Sequence, residues 1–186
     1  MLTIKATLQG VVHLAMDKLD PDMILNPPPH PPRPTDEQLQ AQADRATYRN
    51  DAGLYMPRRA IKKAILDGSS RANIKVGRVA LAKYLEATLF VEPREVPFGL
   101  TEPDEFEQFV VRRKDGNSII KRRPLLKPGW ELTFELMLDE NRDPAQVKVA
   151  LESAGTLVGL GAGRPEYGRF IVISWKVQNG IKRSKV

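Results

Sequence analysis

The sequence contains no cysteine, which excludes a disulfide scaffold, a thiol nucleophile and cysteine-ligated zinc or iron–sulfur centres. Histidine is almost as scarce, with His13 and His30 alone. No apolar run approaches the ~20 residues that a membrane-spanning helix needs. The opening stretch MLTIKATLQG alternates polar and apolar positions, where a signal peptide would hold a continuous apolar core. A cytoplasmic protein with no membrane partner is expected. No His/Asp/Glu group has ligand spacing, so neither metal nor cofactor is expected. Asp17, Asp20 and Asp22 read as capping or turn residues; Asp139, Glu140 and Asp143 surround a helix start, where carboxylates favour the helix dipole.

What remains is enough for one domain over residues 1–186, since 41% of the chain is apolar. The net charge of +6 is less informative than its distribution. Segments 54–78, 112–127 and 176–186 hold 7, 7 and 4 of the 29 basic residues, and their only acids are Asp67 and Asp115. The rest of the chain has 11 basic residues against 21 acids. One such cluster is ordinarily a solvated face. Three together favour an anionic partner, because clustered Lys and Arg release counterions from a phosphate backbone.

Leu2, Ile4, Ala6 and Leu8 alternate with polar residues, predicting a strand over 2–9 that Gly10 ends. Residues 11–25 have no clean period. Residues 26–53 read as an insertion, because seven of the fifteen prolines fall between Pro21 and Pro34 and NPPPHPPRP lacks amide donors. Behind it, Thr35 as N-cap with Gln38 three residues on predicts a short surface helix. Another helix starts near Pro57, with Ala60, Ile61, Ala64 and Ile65 on one face and Arg58, Arg59, Lys62 and Lys63 on the other; Gly68 reads as its stop. A short helix over Asn73–Lys83, a strand over 85–92 and an acidic surface connection over 92–107 follow.

FVVRRKDGNSIIKRRPLL predicts a hairpin over 106–126 that turns at Asp115-Gly116. Arg112, Arg113 and Lys114 then lie across from Lys121, Arg122 and Arg123, and like charges in opposition weaken a hairpin unless a partner neutralises them. Residues 129–178 form the clearest unit. Trp130, Leu132, Phe134, Leu136 and Leu138 share one strand face, Asp143-Pro144 with Gln146 starts a capped helix, and GLGAGRPEYG ends it. The following GRFIVISWKV is apolar on both faces, as in a strand inside a sheet. Core packing is the default for Trp130 and Trp175. The order strand, helix, strand, strand, helix, strand predicts an α+β fold: a ferredoxin-like, RRM-like βαββαβ antiparallel sheet with an inserted basic hairpin and a proline-rich excursion.

The helix–GLGAGRPEYGRF–strand ending resembles the glycine-rich loop of the RAMP (repeat-associated mysterious protein) superfamily, the ferredoxin-like proteins of CRISPR ribonucleoproteins. LYMPRRAIKKAIL (54–66) resembles the start of the first core helix in backbone-type members. The whole chain more closely resembles phage and prophage RAMP-like proteins of about this length, whose final block is matched by LVGLGAGRPEYGRF (157–170); residues 11–53 and 92–128 match only in general character. The resemblance implies RNA contact through the glycine-rich loop and basic hairpins. It makes Gly159, Gly161, Gly163, Arg164, Tyr167 and Arg169 binding candidates, together with Arg58, Arg59, Lys62 and Lys63. It also implies homo-oligomers or ribonucleoprotein subunits stacked along the strand.

The loop does not read as a nucleotide-hydrolysing motif, because it follows a helix, opens a strand and lacks the Lys-Ser/Thr ending. Part of its glycine serves simply to end the helix and admit close packing. Arg164, Tyr167 and Arg169 add charge and a stacking ring, although Tyr167 is equally a core residue. His13 and His30 have no second acid–base group that sequence identifies. Non-catalytic binding of single-stranded RNA or DNA is therefore the expectation. The rivals are a phage-encoded protein-interaction module or inhibitor acting on a CRISPR complex, and a metal-independent ribonuclease.

Overall fold

The computed structural model describes residues 1–19, 25, 33–112, 116 and 118–178. Asp20, Asp22, His30, the tract 26–32, Arg113, Lys114, Asp115 and the basic tail 179–186 lie outside the described residues. Strands β1 (Leu2–Gly10) and β2 (Leu14–Ala15) precede helix α1 (Asp36–Ala46). The hairpin of β3 (Arg49–Asn50) and β4 (Gly53–Pro57) leads into α2 (Arg58–Arg71). A ribbon of β5 (Lys75–Val76) and β6 (Val79–Ala80) precedes α3 (Leu81–Thr88). Then come β7 (Phe90–Glu92), β8 (Glu95–Pro97), β9 (Glu105–Arg112), β10 (Ser118–Leu126), β11 (Glu131–Leu138), α4 (Pro144–Leu157) and β12 (Phe170–Gln178). No helix among the described residues is long and apolar enough to cross a membrane.

The fold is α+β, with helices on one face of a four-stranded antiparallel sheet of order β12-β1-β11-β7. Its register follows from alternation. Ile4, Ala6 and Leu8 stand opposite Leu136, Phe134 and Leu132, and all six are buried. A one-residue slip would turn this entire row to solvent, and each Leu or Phe so exposed would forfeit about 1.5–3 kcal/mol. Helices α2 and α4 cover the row with Ile61, Ala64, Ile65, Val147, Ala150, Leu151 and Ala154. Trp130 closes one end: its indole N–H donates to the Val12 carbonyl (3.0 Å), and its ring meets Phe98 and Phe170 edge-on.

A second layer holds the three-stranded sheet β2-β10-β9, with α1 packed against β10. The capping box of α1 forms as expected, with Thr35 Oγ1 accepting from the Gln38 amide and Gln38 Oε1 from the Thr35 amide. Asp143 caps α4 by accepting from the Ala145 amide (2.8 Å); Gln146 makes only a backbone bond to Asp143, so no capping box closes there.

Several expectations are corrected. Gly68 does not stop α2, which runs on to Arg71; it is buried where α2 crosses α4, and a Cβ there would lie 2.5 Å from the Ala150 carbonyl oxygen and the Ala154 nitrogen. The helix over 73–83 and the strand over 85–92 give way to a ribbon, α3 and the short β7. Asn73 and Gly77 turn the chain with φ of 51° and 60°, and the buried Leu81 and Leu85 hold 81–88 helical. The acidic connection contains β8, whose buried Val96 pairs with Met56 of β4. Residues 26–53, read as an insertion, include α1 and β3. Strand β12 is an edge strand, not an inner one, and exposes Ile171, Ile173 and Val177. In the β9–β10 hairpin, Lys121, Arg122 and Arg123 face Phe109, Gln108 and Glu107, and Arg112 faces Ser118. The expected opposition of like charges is absent from the described pairs, because Lys121, Arg122 and Arg123 stand farther along the chain from the turn than Arg112 does.

Candidate nucleic-acid interface

The glycine-rich loop leaves α4 at Val158 and folds back against β2. Its amides are largely used within the protein: Leu160 donates to the Gly168 carbonyl, Ala162 to Ala15, and Gly168 to His13. Gly161 approaches the Ala15 carbonyl so closely that a Cβ would collide with it, at a φ of 74° that disfavours other residues. The loop is thus first a packing device, and its side chains carry what chemistry it offers.

Tyr167 is tied inward. Its hydroxyl donates to Glu107 Oε1 (2.7 Å), and Arg123 Nε donates to Glu107 Oε2 (2.8 Å). The Arg123 guanidinium lies 4.5 Å from the centroids of both Tyr167 and Phe109. Burial acts to raise the Glu107 carboxyl pKa, but the hydrogen bonds from Tyr167 and Arg123 outweigh it and hold the group below its ordinary range. The Tyr167 phenol moves up, chiefly because it donates to Glu107 and then because it is buried. Arg122 is also engaged, pairing with Asp36 at 2.5 Å and bonding Gln40 and Gln42 of α1. These two arginines fasten the hairpin to the loop and to α1. Lys121 is half-buried and Arg112 is exposed near the hairpin tip.

The outer side of α2 is different. Arg59, Lys63, Asp67 and Arg71 recur every four residues, so they form one stripe on the solvent face. Lys63 pairs with Asp67 (2.8 Å), and Arg164 from the glycine-rich loop lies 4.0 Å from the other Asp67 oxygen. Asp67, Arg71, Gly161, Gly163 and Arg164 line a polar cavity of about 380 Å³. Arg58 is drawn off the stripe by Glu92 (2.6 Å), and Lys62 donates to the Glu86 carbonyl with Phe90 beneath it. Arg169 Nε is held by the Pro165 carbonyl (2.9 Å). The loop therefore joins two of the three basic segments: α2 through Arg164 and Asp67, the hairpin through Tyr167 and Arg123. Lys176 of the third stands apart, across the sheet opposite Lys5.

At the other end of the stripe is a pocket that sequence reading missed. Lys18, Arg58, Arg59 and Arg94 surround about 240 Å³ together with Tyr48, Tyr55 and Glu95. The two rings are 5.8 Å apart and tilted by 60°. Tyr55 is nearly buried, and burial followed by the nearby Glu95 charge raises its phenol pKa. These residues come from three separated stretches of chain. The one local signal was a pair of tyrosines flanking the Asn50–Gly53 turn directly before a basic helix.

No family model matches the chain, and no curated protein sequence matches it. The fold has a solved counterpart. A chain in the cryo-EM structure of the Type III-B Cmr-beta bound to cognate target RNA is similar at a TM-score of 0.60 and 9% identity, over 95% of this chain. This chain spans 60% of the length of that one. At that identity the likeness concerns the fold alone.

Proposed function

We propose that this is a RAMP-type, ferredoxin-like protein that binds single-stranded nucleic acid without catalysis and serves as a subunit of an assembly along it. The observation that carries the reading is the Arg59–Lys63–Asp67–Arg71 stripe of α2 running into the cavity formed with Gly161, Gly163 and Arg164. Two further points support it. The antiparallel order β12-β1-β11-β7, with α2 and α4 lying between its strands in the chain, is compatible with a ferredoxin-like βαββαβ reading, and the similar solved chain comes from a structure that includes target RNA. Cations in a row along a helix suit a phosphate backbone, whose contacts position a strand without reading its sequence.

Titration of labelled single- and double-stranded RNA and DNA across a salt series tests the reading. Single strands should bind with an affinity that falls steeply with salt and depends little on sequence. Affinity that is flat between low and high salt would overturn it and favour the protein-interaction module.

One observation favours a second reading, a metal-independent ribonuclease. His13 Nε2 lies 3.5 Å from Glu105, which also pairs with Lys127 (3.1 Å), and the His13 carbonyl accepts from Gly168 of the loop. An imidazole beside a carboxylate and an ammonium can move protons at a phosphodiester. Labelled RNA incubated with wild type and with His13→Ala decides it: cleavage that the substitution abolishes establishes this reading, and intact RNA in both excludes it.

A further inference from the structure

We infer that the pocket at the start of α2 seats one nucleotide of a bound single strand, its base against Tyr48 and its phosphate among Arg59, Arg94 and Lys18. The inference rests on the binding reading above and assigns it a site that neither the glycine-rich loop nor the hairpin includes.

Three features argue for a nucleotide. First, the charge is local and unbalanced. Among the described residues, Lys18, Arg58, Arg59 and Arg94 line the pocket with one acid, Glu95, and a second acid, Glu92, engages Arg58. Glu95 is itself held by the Asn50 side-chain amide (2.7 Å). Four cations against two carboxylates among the described residues leave an excess suited to a phosphodiester and unsuited to an apolar ligand. Second, the pocket has rings on one side. Tyr48 is half-buried and backed by Tyr55, so it presents a stacking surface at little entropic cost. Third, the site is continuous with the basic stripe. Arg59 belongs to both, and the stripe descends α2 to the cavity at Arg71 and Arg164. A helix of 14 residues spans ~21 Å, room for several nucleotides between the two ends.

The scaffold supports a fixed site. The Arg58 amide donates to the Arg94 carbonyl (2.9 Å), the Tyr55 amide to the Tyr48 carbonyl (3.0 Å) and the Lys18 amide to the Ala46 carbonyl (2.8 Å). Backbone bonds therefore hold the lining segments, and side-chain changes at Arg94 and Lys18 leave those bonds intact.

The test is fluorescence anisotropy of a labelled single-stranded RNA oligonucleotide with wild type, Arg94→Gln, the double variant Lys18→Gln/Arg94→Gln, Tyr48→Leu and Tyr48→Phe, each checked for native circular dichroism. Tyr48→Leu should weaken binding about tenfold, the scale of one lost base–aromatic stack, with Tyr48→Phe near wild type. Arg94→Gln should reduce the slope of log affinity against log salt by about 0.7, the value for one single-strand phosphate contact. A nucleoside monophosphate should compete for the site where inorganic phosphate does not. If wild type binds tightly and all four variants match it, the pocket assignment falls while the binding function stands. If wild type fails to bind any single strand, both fall. Equal competition by inorganic phosphate and mononucleotide would remove the base-stacking half of the assignment.

Discussion

The two faces of the central sheet are both polar at their outer surfaces, yet they handle charge in opposite ways. On the open face, the strands align Lys176, Lys5, Glu135 and Glu92 in one row across all four strands. Thr7 and Thr133 share a hydrogen bond (3.0 Å) and Gln9 donates to Glu131 (3.1 Å) beside them. Charge there cancels over the row as a whole, with one opposite pair, Lys5 and Glu135, between two like pairs, and the exposed ring in that area is Phe90 at the edge. On the helical side, α2 repeats cations every turn with one acid among them, and both ends of the stripe open into concave polar sites. A sheet that binds bases on its open face needs aromatic platforms in its central strands; β1 and β11 offer threonine, lysine and glutamate there. Overall basicity therefore says less about a partner than where the excess of cations gathers.

The sharpest way to break the comparison is charge reversal on one face at a time. Arg59→Glu/Arg71→Glu places repulsion at both ends of the stripe and should weaken single-strand binding at low salt by about a hundredfold, near 2.8 kcal/mol. Lys5→Glu/Lys176→Glu makes the same change in net charge on the open face and should leave affinity within about twofold. Equal losses from the two would mean that net charge, and not the stripe, governs binding.

A smaller effect is expected at the hairpin–loop junction, where charge is used for cohesion. Glu107→Ala removes the acceptor shared by Tyr167 and Arg123 and leaves two donors without their partner. Unfolding should become easier by about 2 kcal/mol, measured in urea. Binding by folded protein at saturating concentration should change little, which separates the junction from the stripe.

The same junction predicts a pH dependence. The Glu107 carboxyl is lowered in the folded state, so its contribution is complete above the ordinary glutamate range and disappears as pH falls through the lowered value. The Tyr167 phenol is raised, so its contribution is complete below the ordinary tyrosine range and is lost as pH climbs through the raised value. The stability difference between wild type and Glu107→Gln should therefore narrow at acid pH, by about 1 kcal/mol or less. A constant difference from neutral to acid pH would show that the hydrogen bonds do not favour the ionised carboxylate.

Much of this architecture was legible in the sequence where a single local rule decides the outcome. The alternation of β1 and β11, the Thr35 capping box, the Asp143 cap and the start of α2 after Pro57 need only neighbours in the chain. The stretch 73–97 failed because Leu81, Leu85, Leu89 and Val91 suit a helix or a strand equally, and packing against the core made the choice. Strand β12 misled because apolar residues on both faces were read as burial, whereas Ile171 and Ile173 are exposed at an edge. The site divides the same way. The basic residues of α2 were visible at helical spacing, but hairpin register, set by turn length, placed Arg123 opposite Glu107. Tyr48, Arg94 and Lys18 meet only in three dimensions.

The smallest expected effect lies on the open face and tests whether its polarity serves the sheet alone. Thr7→Val keeps the β-branched shape that a strand favours and removes one partner of the Thr7–Thr133 hydrogen bond. That bond is solvent-exposed, so water can satisfy Thr133 once its partner is gone, and the cost should stay within about 0.5 kcal/mol. Oligonucleotide affinity should not move, because the stripe of α2 is on the far side of the core. A Thr7→Val variant that kept its stability and lost binding would place nucleic acid on the open face and reverse the assignment of the two surfaces.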